Sequence, residues 1–232
     1  ELQHALGYPG ELVGDWEEKA VAKLDELLKK HRSLRIYLDA CVKCGACTDK
    51  CQFFLGSGDP KNMPVARQDL LRQIYRKYFT AAGKVVPDLV GAKPLTKEVL
   101  DEWWVYYHQC SQCRRCSFYC PYGIDTAEIT MAAREIMNAI GMGQKYTNEV
   151  VLKAHEIGNN LGLNAAALKN TVEGLEEDIE DDFGVSVRMP VDEEGADVLF
   201  VTPSADFFAE PQVDGMIGYA KVFHQAGLSW TL

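Results

Sequence analysis

The residues best suited to chemistry in this chain are its cysteines, which fall into two runs of four. Both runs have the spacing C-x2-C-x2-C-x3-C, and Pro121 directly follows the second run. This spacing is that of bacterial ferredoxins carrying two [4Fe–4S] clusters. The cysteines are Cys41, Cys44, Cys47, Cys51, Cys110, Cys113, Cys116 and Cys120. Since none is left over, the sequence predicts two cubane clusters and one-electron chemistry.

The fourth cysteine of each run is expected to bind the cluster of the other run. Three cysteines at successive three-residue steps reach three corners of one cubane, whereas the fourth leaves too far round the loop to close it. Such crossed ligation would hold the two runs together and bring the clusters within range of electron transfer. The predicted ligand sets are Cys41, Cys44, Cys47 and Cys120 for cluster 1, and Cys110, Cys113, Cys116 and Cys51 for cluster 2.

Other uses of the cysteines fit the pattern less well. Structural zinc favours two C-x2-C pairs, and three cysteines in series would leave one unused in each run. A disulfide scaffold is typical of small secreted domains that lack a core, whereas 47% of these 232 residues are hydrophobic. A structural zinc-binding adaptor with no redox role stays open as an alternative of another class.

Charged residues near the cysteines have two possible roles. Positive charge beside a cluster raises its reduction potential, but the same side chains can instead face solvent or form ion pairs. Gly45 is expected to let the backbone pack closely, and Gln52, at the position of the ferredoxin proline, is not expected to affect cluster binding. The basic residues within the runs are Lys43, Lys50, Arg114 and Arg115.

Aromatic residues just before the second run are assigned mainly to core packing, with an electron route as the alternative. His108 is expected to lie beside the ligands or at the surface, because none of the five histidines has metal-ligand spacing. The acidic run at 176–182 is interpreted as a solvated helix end, and the alternative is a surface for a basic partner. The aromatic residues are Trp103, Trp104, Tyr106 and Tyr107.

The whole-chain composition excludes some partners. The formal net charge is −10, which argues against nucleic acid or an anionic membrane surface as the main partner. No apolar run approaches the length of a bilayer span, so no direct membrane span is expected. No secretory signal is visible at Glu1.

Amphipathic patterns place helices around the two runs. Pro64 and Thr96 are typical helix-start residues, and Asp125 with Glu128 resembles a capping box. Positions 52–109 give 58 residues between the runs, which suits a helical ferredoxin type better than a small hairpin-based one. The predicted helices cover 15–31, a segment from Pro64, a segment after Thr96, a segment from Asp125 to near Gly141, 148–161 and 164–180.

The composition changes near residue 183. Strands are predicted at 185–189, 196–202 and 228–232, with a helix at 212–226 between the last two. Strand–helix–strand order implies a parallel α/β unit, which cannot bury both sheet faces alone, so we expect the chain to continue past Leu232. The predicted fold is mainly α, divided into an N-terminal helical segment 1–40, a helical two-cluster ferredoxin domain 41–182, and the beginning of an α/β domain 183–232.

Two stretches carry a family resemblance, CVKCGACTDKCQFFLGSGDPKNMP at 41–64 and HQCSQCRRCSFYCPYGIDTAEITMAARE at 108–135. They resemble the D-type iron–sulfur subunits of the heterodisulfide reductase family, and within that group the K-type subunits of the sulfite-reduction-associated DsrMKJOP membrane complexes. Paired cysteine runs also occur in glycolate and glycerol-3-phosphate dehydrogenase iron–sulfur subunits, but the segments GDPKNMP and CPYGIDTAEIT narrow the choice.

The resemblance implies an oxidoreductase subunit peripheral to the cytoplasmic side of the membrane. It would exchange electrons with a haem b membrane subunit that uses menaquinone, and relay them to thiol–disulfide chemistry on a small DsrC-like sulfur carrier. In such relatives the disulfide chemistry uses a further, non-cubane cluster in C-terminal CCG domains. The α/β segment is interpreted as the start of a CCG-type domain. This sequence has no CCG motif, so the catalytic centre is expected either to lie beyond Leu232 or to be absent. The runner-up is an iron–sulfur protein serving a flavin dehydrogenase.

Overall fold

The computed structural model describes residues 12–209 and 212–232. Its contacts divide the chain into two compact units, Glu1–Lys145 and Tyr146–Leu232. The first unit holds the helices α1 Trp16–Lys30, α2 Arg32–Ala40, α3 Gln52–Ser57, α4 Pro64–Phe79, α5 Ala81–Val85, α6 Pro87–Val90, α7 Lys97–His108, α8 Arg115–Phe118 and α9 Thr126–Ala139, with short 3-10 turns at Thr48–Lys50 and Pro60–Asn62.

The core of the first unit lies between its four long helices, α1, α4, α7 and α9. Leu24, Leu71, Trp103 and Ile129 are fully buried, one from each helix. Burying a Leu or Ile side chain contributes roughly 1.5–3 kcal/mol, so this shared core keeps the helix ends, and the loops between them, in place. The segment predicted as a separate region, 1–40, contributes α1 and α2 to this core where it is described.

Local signals in the sequence explain where the helices begin. Pro64 is the first residue of α4, and the Thr96 hydroxyl accepts from the Val99 amide at 3.4 Å to cap α7. Asp125 caps α9 by accepting from the Ala127 amide at 2.9 Å. A capping box also requires the Glu128 side chain to accept from the Asp125 amide. This part of the prediction is wrong, because Glu128 accepts a hydrogen bond from Ser33 of α2 instead, at 2.5 Å.

The second unit has α10 Lys145–Ile157, α11 Ala165–Phe183, β1 Val198–Leu199, α12 Ala205–Phe208, α13 Gln212–Gln225 and β2 Trp230–Thr231. The two strands pair in parallel, Val198 with Trp230 and Leu199 with Thr231, as the sequence predicted for a strand–helix–strand unit. No helix in the described ranges is both long enough and apolar enough to cross a bilayer.

Two expectations for the second unit differ from the structure. The strand predicted at 185–189 is wrong, because Val187 and Met189 enter the core on an extended loop whose Met189 amide donates to Glu176. The helix α11 also packs through Val172 and Ile179 on this core, so the compact unit begins well before the predicted boundary at 183.

Candidate iron–sulfur centre

Two cavities lie side by side where the cysteine runs meet the first turns of α4 and α9. Each contains about 370 Å³ of space between protein atoms. The first is lined by Cys41, Cys44, Cys47, Cys116 and Cys120. The second is lined by Cys51, Cys110, Cys113 and Cys116. Both runs therefore contribute thiols to each cavity, and Cys116 borders both.

The N-terminal ends of two long helices border these cavities. Val65 and Gln68 of α4 line the first, whereas Pro64 and Arg67 of the same turn line the second. Thr126, the first residue of α9, lines both. The positive ends of the helix dipoles thus lie beside the thiols, where they stabilise negative charge.

The two cysteine loops use the same backbone conformation. The residue before the second cysteine has φ 57° in both runs, at Lys43 and Gln112. The residue after the second cysteine also has positive φ, 78° at Gly45 and 60° at Arg114. A left-handed conformation costs a non-glycine residue roughly 1–2 kcal/mol, so each loop is held against a local preference in order to direct three thiols to one side.

Gly45 therefore has a different role from the one expected. A Cβ at this position would meet only Thr48 Oγ1, at an ordinary 3.7 Å, so close packing does not require glycine. The positive φ does favour it. The two runs align residue for residue, so Gly45 falls opposite Arg114, which has the same left-handed backbone without being a glycine.

Cys51 is the buried member of the eight and receives a hydrogen bond from a buried arginine. Arg67 Nη1 donates to Cys51 Sγ at 3.4 Å, and the whole Arg67 residue is 2% exposed. Burial raises the pKa of the Cys51 thiol, but the Arg67 guanidinium and the backbone amides of Phe53 and Phe54 outweigh it and leave that pKa lowered. The cysteine pattern gave no hint of Arg67, because it lies 16 residues beyond Cys51 and outside both runs.

The GDPKNMP segment supplies hydrogen bonds that hold the Arg67 side chain in place. The side chain of buried Asn62 accepts from Arg67 Nη2 at 2.8 Å and donates to Ser57 Oγ at 3.1 Å. Asp59 accepts from the Lys61 amide at 2.9 Å and from the Tyr106 hydroxyl at 2.8 Å. Tyr106 in turn offers its carbonyl to Arg67 Nε at 2.9 Å, so this segment and α7 together fix the guanidinium.

Asp125 organises the second loop. Its carboxylate accepts from Arg114 Nε at 3.0 Å and from Ser117 Oγ at 2.9 Å, while it also caps α9. Arg134 of α9 supports the same loop, since its Nη2 donates to the carbonyls of Tyr107 and Cys110, each at 2.6 Å. These contacts join the end of α7, the second run and the start of α9.

The basic residues inside the runs largely form ion pairs. Lys43 pairs with Asp69, and Lys50 pairs with Asp49 at 2.7 Å while lying 5.0 Å from the centre of the Tyr119 ring. The Arg114 side chain is 62% exposed and pairs with Asp125. For these three residues the ion-pair interpretation describes the structure better than a direct charge on the thiols.

The aromatic residues before the second run are divided between the core and local contacts. Trp103 and Tyr107 are fully buried and pack edge to face, with ring centres 5.6 Å apart, as core packing predicts. His108 Nδ1 lies 2.9 Å from the Trp104 carbonyl, one turn back in α7, and burial lowers the pKa of this imidazole. His108 is therefore tied to its own helix by this contact.

Gln52 shows why the proline of the ferredoxin motif is dispensable in the first run. It is the first residue of α3, and its side-chain amide donates to Ser111 Oγ of the second run at 3.2 Å. The first run therefore enters a helix directly after Cys51, whereas Pro121 leads the second run through a turn towards α9.

The thiol sets suit a cubane better than a single ion. Burial raises the pKa of Cys47 to about 11 and also raises the pKa of Cys116, so these thiols become thiolates only beside a strong positive centre, whether a cluster or a metal ion. A [4Fe–4S] cluster takes one thiolate at each of four irons, which matches thiols spread around a cavity. Among the described residues, no three His, Cys, Asp or Glu side chains converge closely enough to hold one metal ion.

Comparison with known families agrees with this geometry. Residues 37–124 match the family model of the 4Fe-4S dicluster domain, a span that contains both cysteine runs. The chain is thus mainly helical and contains a 4Fe–4S dicluster domain.

Longer similarity extends to components of known complexes. The chain is 42% identical, over 92% of its length, to the Hdr-like menaquinol oxidoreductase iron-sulfur subunit 2 of Archaeoglobus fulgidus. It is equally similar to the corresponding protein of Archaeoglobus profundus. A shorter match, 32% identical over 46% of the chain, is to the D-type subunit of the dihydromethanophenazine:CoB–CoM heterodisulfide reductase of Methanosarcina barkeri. The chain spans 39%, 38% and 25% of these relatives' lengths.

Proposed function

We propose that this chain is an electron relay with two [4Fe–4S] clusters in an Hdr-like oxidoreductase. The observation that carries the proposal is the pair of adjacent cavities of equal size, each lined by cysteines from both runs. When bound, the clusters supply one-electron redox chemistry. The protein supplies thiolates, two helix N-termini and a common wall at Cys116, which together favour a short path between the centres.

The proposed ligands are those of the crossed arrangement. Cys120 lines the cavity of the first three cysteines, and Cys51 lines the cavity of the last run, which supports the exchange of fourth ligands. Cluster 1 is therefore assigned to Cys41, Cys44, Cys47 and Cys120. Cluster 2 is assigned to Cys110, Cys113, Cys116 and Cys51.

For the whole protein, we propose a peripheral subunit of a membrane-associated respiratory complex. Its electrons come from a haem b protein that oxidises menaquinol, and they serve thiol–disulfide chemistry in a part of the protein outside these 232 residues. The names of the Archaeoglobus and Methanosarcina relatives support menaquinol and heterodisulfide as the two ends of such a path. The K-type subunit of a DsrMKJOP complex, acting on a DsrC-like carrier at the cytoplasmic face in sulfur metabolism, is our specific assignment.

Metal and sulfide analysis tests the relay directly. Protein purified without oxygen and reconstituted with iron and sulfide is expected to hold about eight irons and eight labile sulfides per chain. It should also show the EPR spectrum of two magnetically coupled clusters after reduction. A protein that retains zinc, with neither iron nor labile sulfide, would be a structural adaptor, and the proposal would fail.

Co-purification distinguishes the proposed complex from the flavoenzyme alternative. Tagged protein is expressed in its native host, and the membranes are solubilised in a mild detergent. A haem b spectrum in the purified complex supports the menaquinol pathway. A soluble flavoprotein partner instead would assign the chain to a hydroxy-acid dehydrogenase.

A further inference from the structure

A charged side chain that hydrogen-bonds to a candidate ligand lies outside both cysteine runs. Arg67 lies in the first turn of α4, is 2% exposed, and donates from Nη1 to Cys51 Sγ at 3.4 Å. Its other two hydrogen-bond acceptors are neutral, the Asn62 side-chain amide and the Tyr106 carbonyl. In the described part of the chain, no carboxylate accepts a hydrogen bond from this guanidinium.

This arrangement differs from that of the basic residues in the runs. Lys43, Lys50 and Arg114 each pair with an aspartate, and Lys43 and Arg114 are half-exposed or more. Solvent and counter-charge weaken their fields at the thiols. Arg67 has neither, and a buried guanidinium needs an anion. The thiolate of Cys51 and the anionic cluster bound to it are the anions that its geometry offers.

Gln68, the residue after Arg67 on α4, differs from Arg67 both in its charge and in the cavity that it lines. Gln68 lines the first cavity and donates to the Tyr37 carbonyl at 2.9 Å. This turn of α4 therefore presents a neutral amide to the first cavity. The same turn presents the guanidinium of Arg67 to the second cavity. The two cavities are therefore alike in size, and cysteines of both runs line each, but they differ in the charge that α4 contributes.

We propose that Arg67 is a positioning residue that raises the reduction potential of cluster 2 above that of cluster 1. This inference rests on the proposed function and adds an order to the relay. Reduction adds negative charge, which a buried cation and a hydrogen bond to a ligand sulfur both stabilise. At equilibrium a single electron therefore resides mainly on the cluster that Cys51 ligates. Asn62 helps to maintain the higher potential of cluster 2 by orienting the guanidinium of Arg67.

A redox titration followed by EPR tests the inference in the reconstituted 232-residue chain. The signal of cluster 2 is first identified as the one that Cys51→Ser alters. Arg67→Gln removes the charge and is expected to reduce the equilibrium constant for one-electron reduction of cluster 2 by about tenfold, or about 59 mV for n = 1. The potential of cluster 1 should move much less. Arg67→Lys retains the charge and is expected to recover most of the loss.

Two further variants keep the test decisive. Asn62→Asp places a carboxylate beside the guanidinium with little change in shape, and it should lower the potential of cluster 2 without removing a buried cation. Arg76→Gln is the matched control, since Arg76 lies on the same helix and donates to the Val90 carbonyl at 2.6 Å. Neither potential should change in that variant.

Specific results would overturn the inference. An unchanged cluster 2 potential in Arg67→Gln, or an equal shift of both clusters, contradicts it. If Arg67→Gln does not assemble cluster 2, the Asn62→Asp variant decides, and an unchanged potential there is equally contrary. These outcomes are distinct from failure of the proposed function, in which the wild-type chain would bind no iron–sulfur cluster at all.

Discussion

The two cysteine loops reach the same conformation from different sequences. Lys43 and Gln112 share a φ of 57°, and Gly45 and Arg114 both have positive φ. The loops diverge at their fourth cysteines, since Cys51 is buried and directly precedes α3 whereas Cys120 is half-buried and precedes Pro121. Cysteine spacing and backbone shape therefore specify how thiols are presented. The surroundings of the fourth cysteine then distinguish one site from the other.

The largest effects are expected when the fourth cysteine of either run is replaced. Cys51→Ser is expected to weaken or abolish the cluster bound mainly by the second run, and Cys120→Ser the cluster bound mainly by the first. Iron content and EPR after reconstitution measure the loss. The matched control is the third cysteine of the first run, since Cys47→Ser should damage the same cluster as Cys120→Ser.

A different pattern would contradict the crossed assignment. If Cys51→Ser and Cys47→Ser disturbed the same EPR signal, each run would hold its own cluster. The two loops would then form two independent sites.

The second prediction concerns the loop that depends on Asp125. Replacing Asp125 with Ala removes a helix cap and the bonds from Arg114 and Ser117. A lost cap costs about 1 kcal/mol and hydrogen bonds to a charged group somewhat more, so we expect a loss of about 2 kcal/mol in the free energy of unfolding. Denaturant unfolding of the apo-protein measures it.

Asp49→Ala in the first run provides the control for this loss. Its carboxylate is 67% exposed and pairs with the adjacent Lys50, so the free energy of unfolding should change much less than in Asp125→Ala. Equal losses in the two variants would mean that Asp125 has no special role in the second loop.

The third prediction uses the shared backbone shape. Gly45→Ala puts a Cβ at φ 78° and is expected to destabilise the protein by about 1 kcal/mol. Gln112→Gly removes a similar penalty from the second loop and is expected to stabilise it by a few tenths to about 1 kcal/mol. Thermal unfolding compares the pair. A stabilising Gly45→Ala or a destabilising Gln112→Gly would contradict the cost assigned to the left-handed backbone at that position.

The smallest effect is expected where the runs differ most in sequence. Gln52→Pro makes the first run match the second, and position 52 is the first residue of a helix, where proline is tolerated. Cys51 already has the extended conformation that precedes proline, φ −92° and ψ 114°. The lost bond to Ser111 is exposed, so we expect a change within about 0.5 kcal/mol and unaltered iron content. Loss of a cluster would show that the Gln52–Ser111 contact is required.

Much of the helical unit was predictable from the sequence because its signals are local. The starts at Pro64, Thr96 and Asp125 follow from capping chemistry, and the apolar spacing of α1 and α7 marks their buried faces. The cysteine spacing likewise indicated a 4Fe–4S dicluster domain, in agreement with the family match at 37–124. The parallel pairing of β1 and β2 followed from the order of the elements.

The features that the sequence did not reveal depend on contacts between distant residues. Arg67 and Asn62 looked like ordinary helix and turn residues, and only the packing of α4 against α7 brings a guanidinium to Cys51. Residues 185–189 have the composition of a strand, but Glu176 and the α11 core hold them as a loop. Arg114 showed no sign of a left-handed backbone, because its long charged side chain gives no such preference.

Because cysteines of both runs line each cavity, the order in which the chain is synthesised matters. A nascent chain that has exposed only its first run offers Cys41, Cys44 and Cys47 to a cavity whose other wall, Cys116 and Cys120, is still inside the ribosome. Cys51 cannot substitute, since it faces the cavity of the second run. Cluster insertion is therefore expected to await release of residues well beyond Cys120, when α9 can pack and close both cavities together.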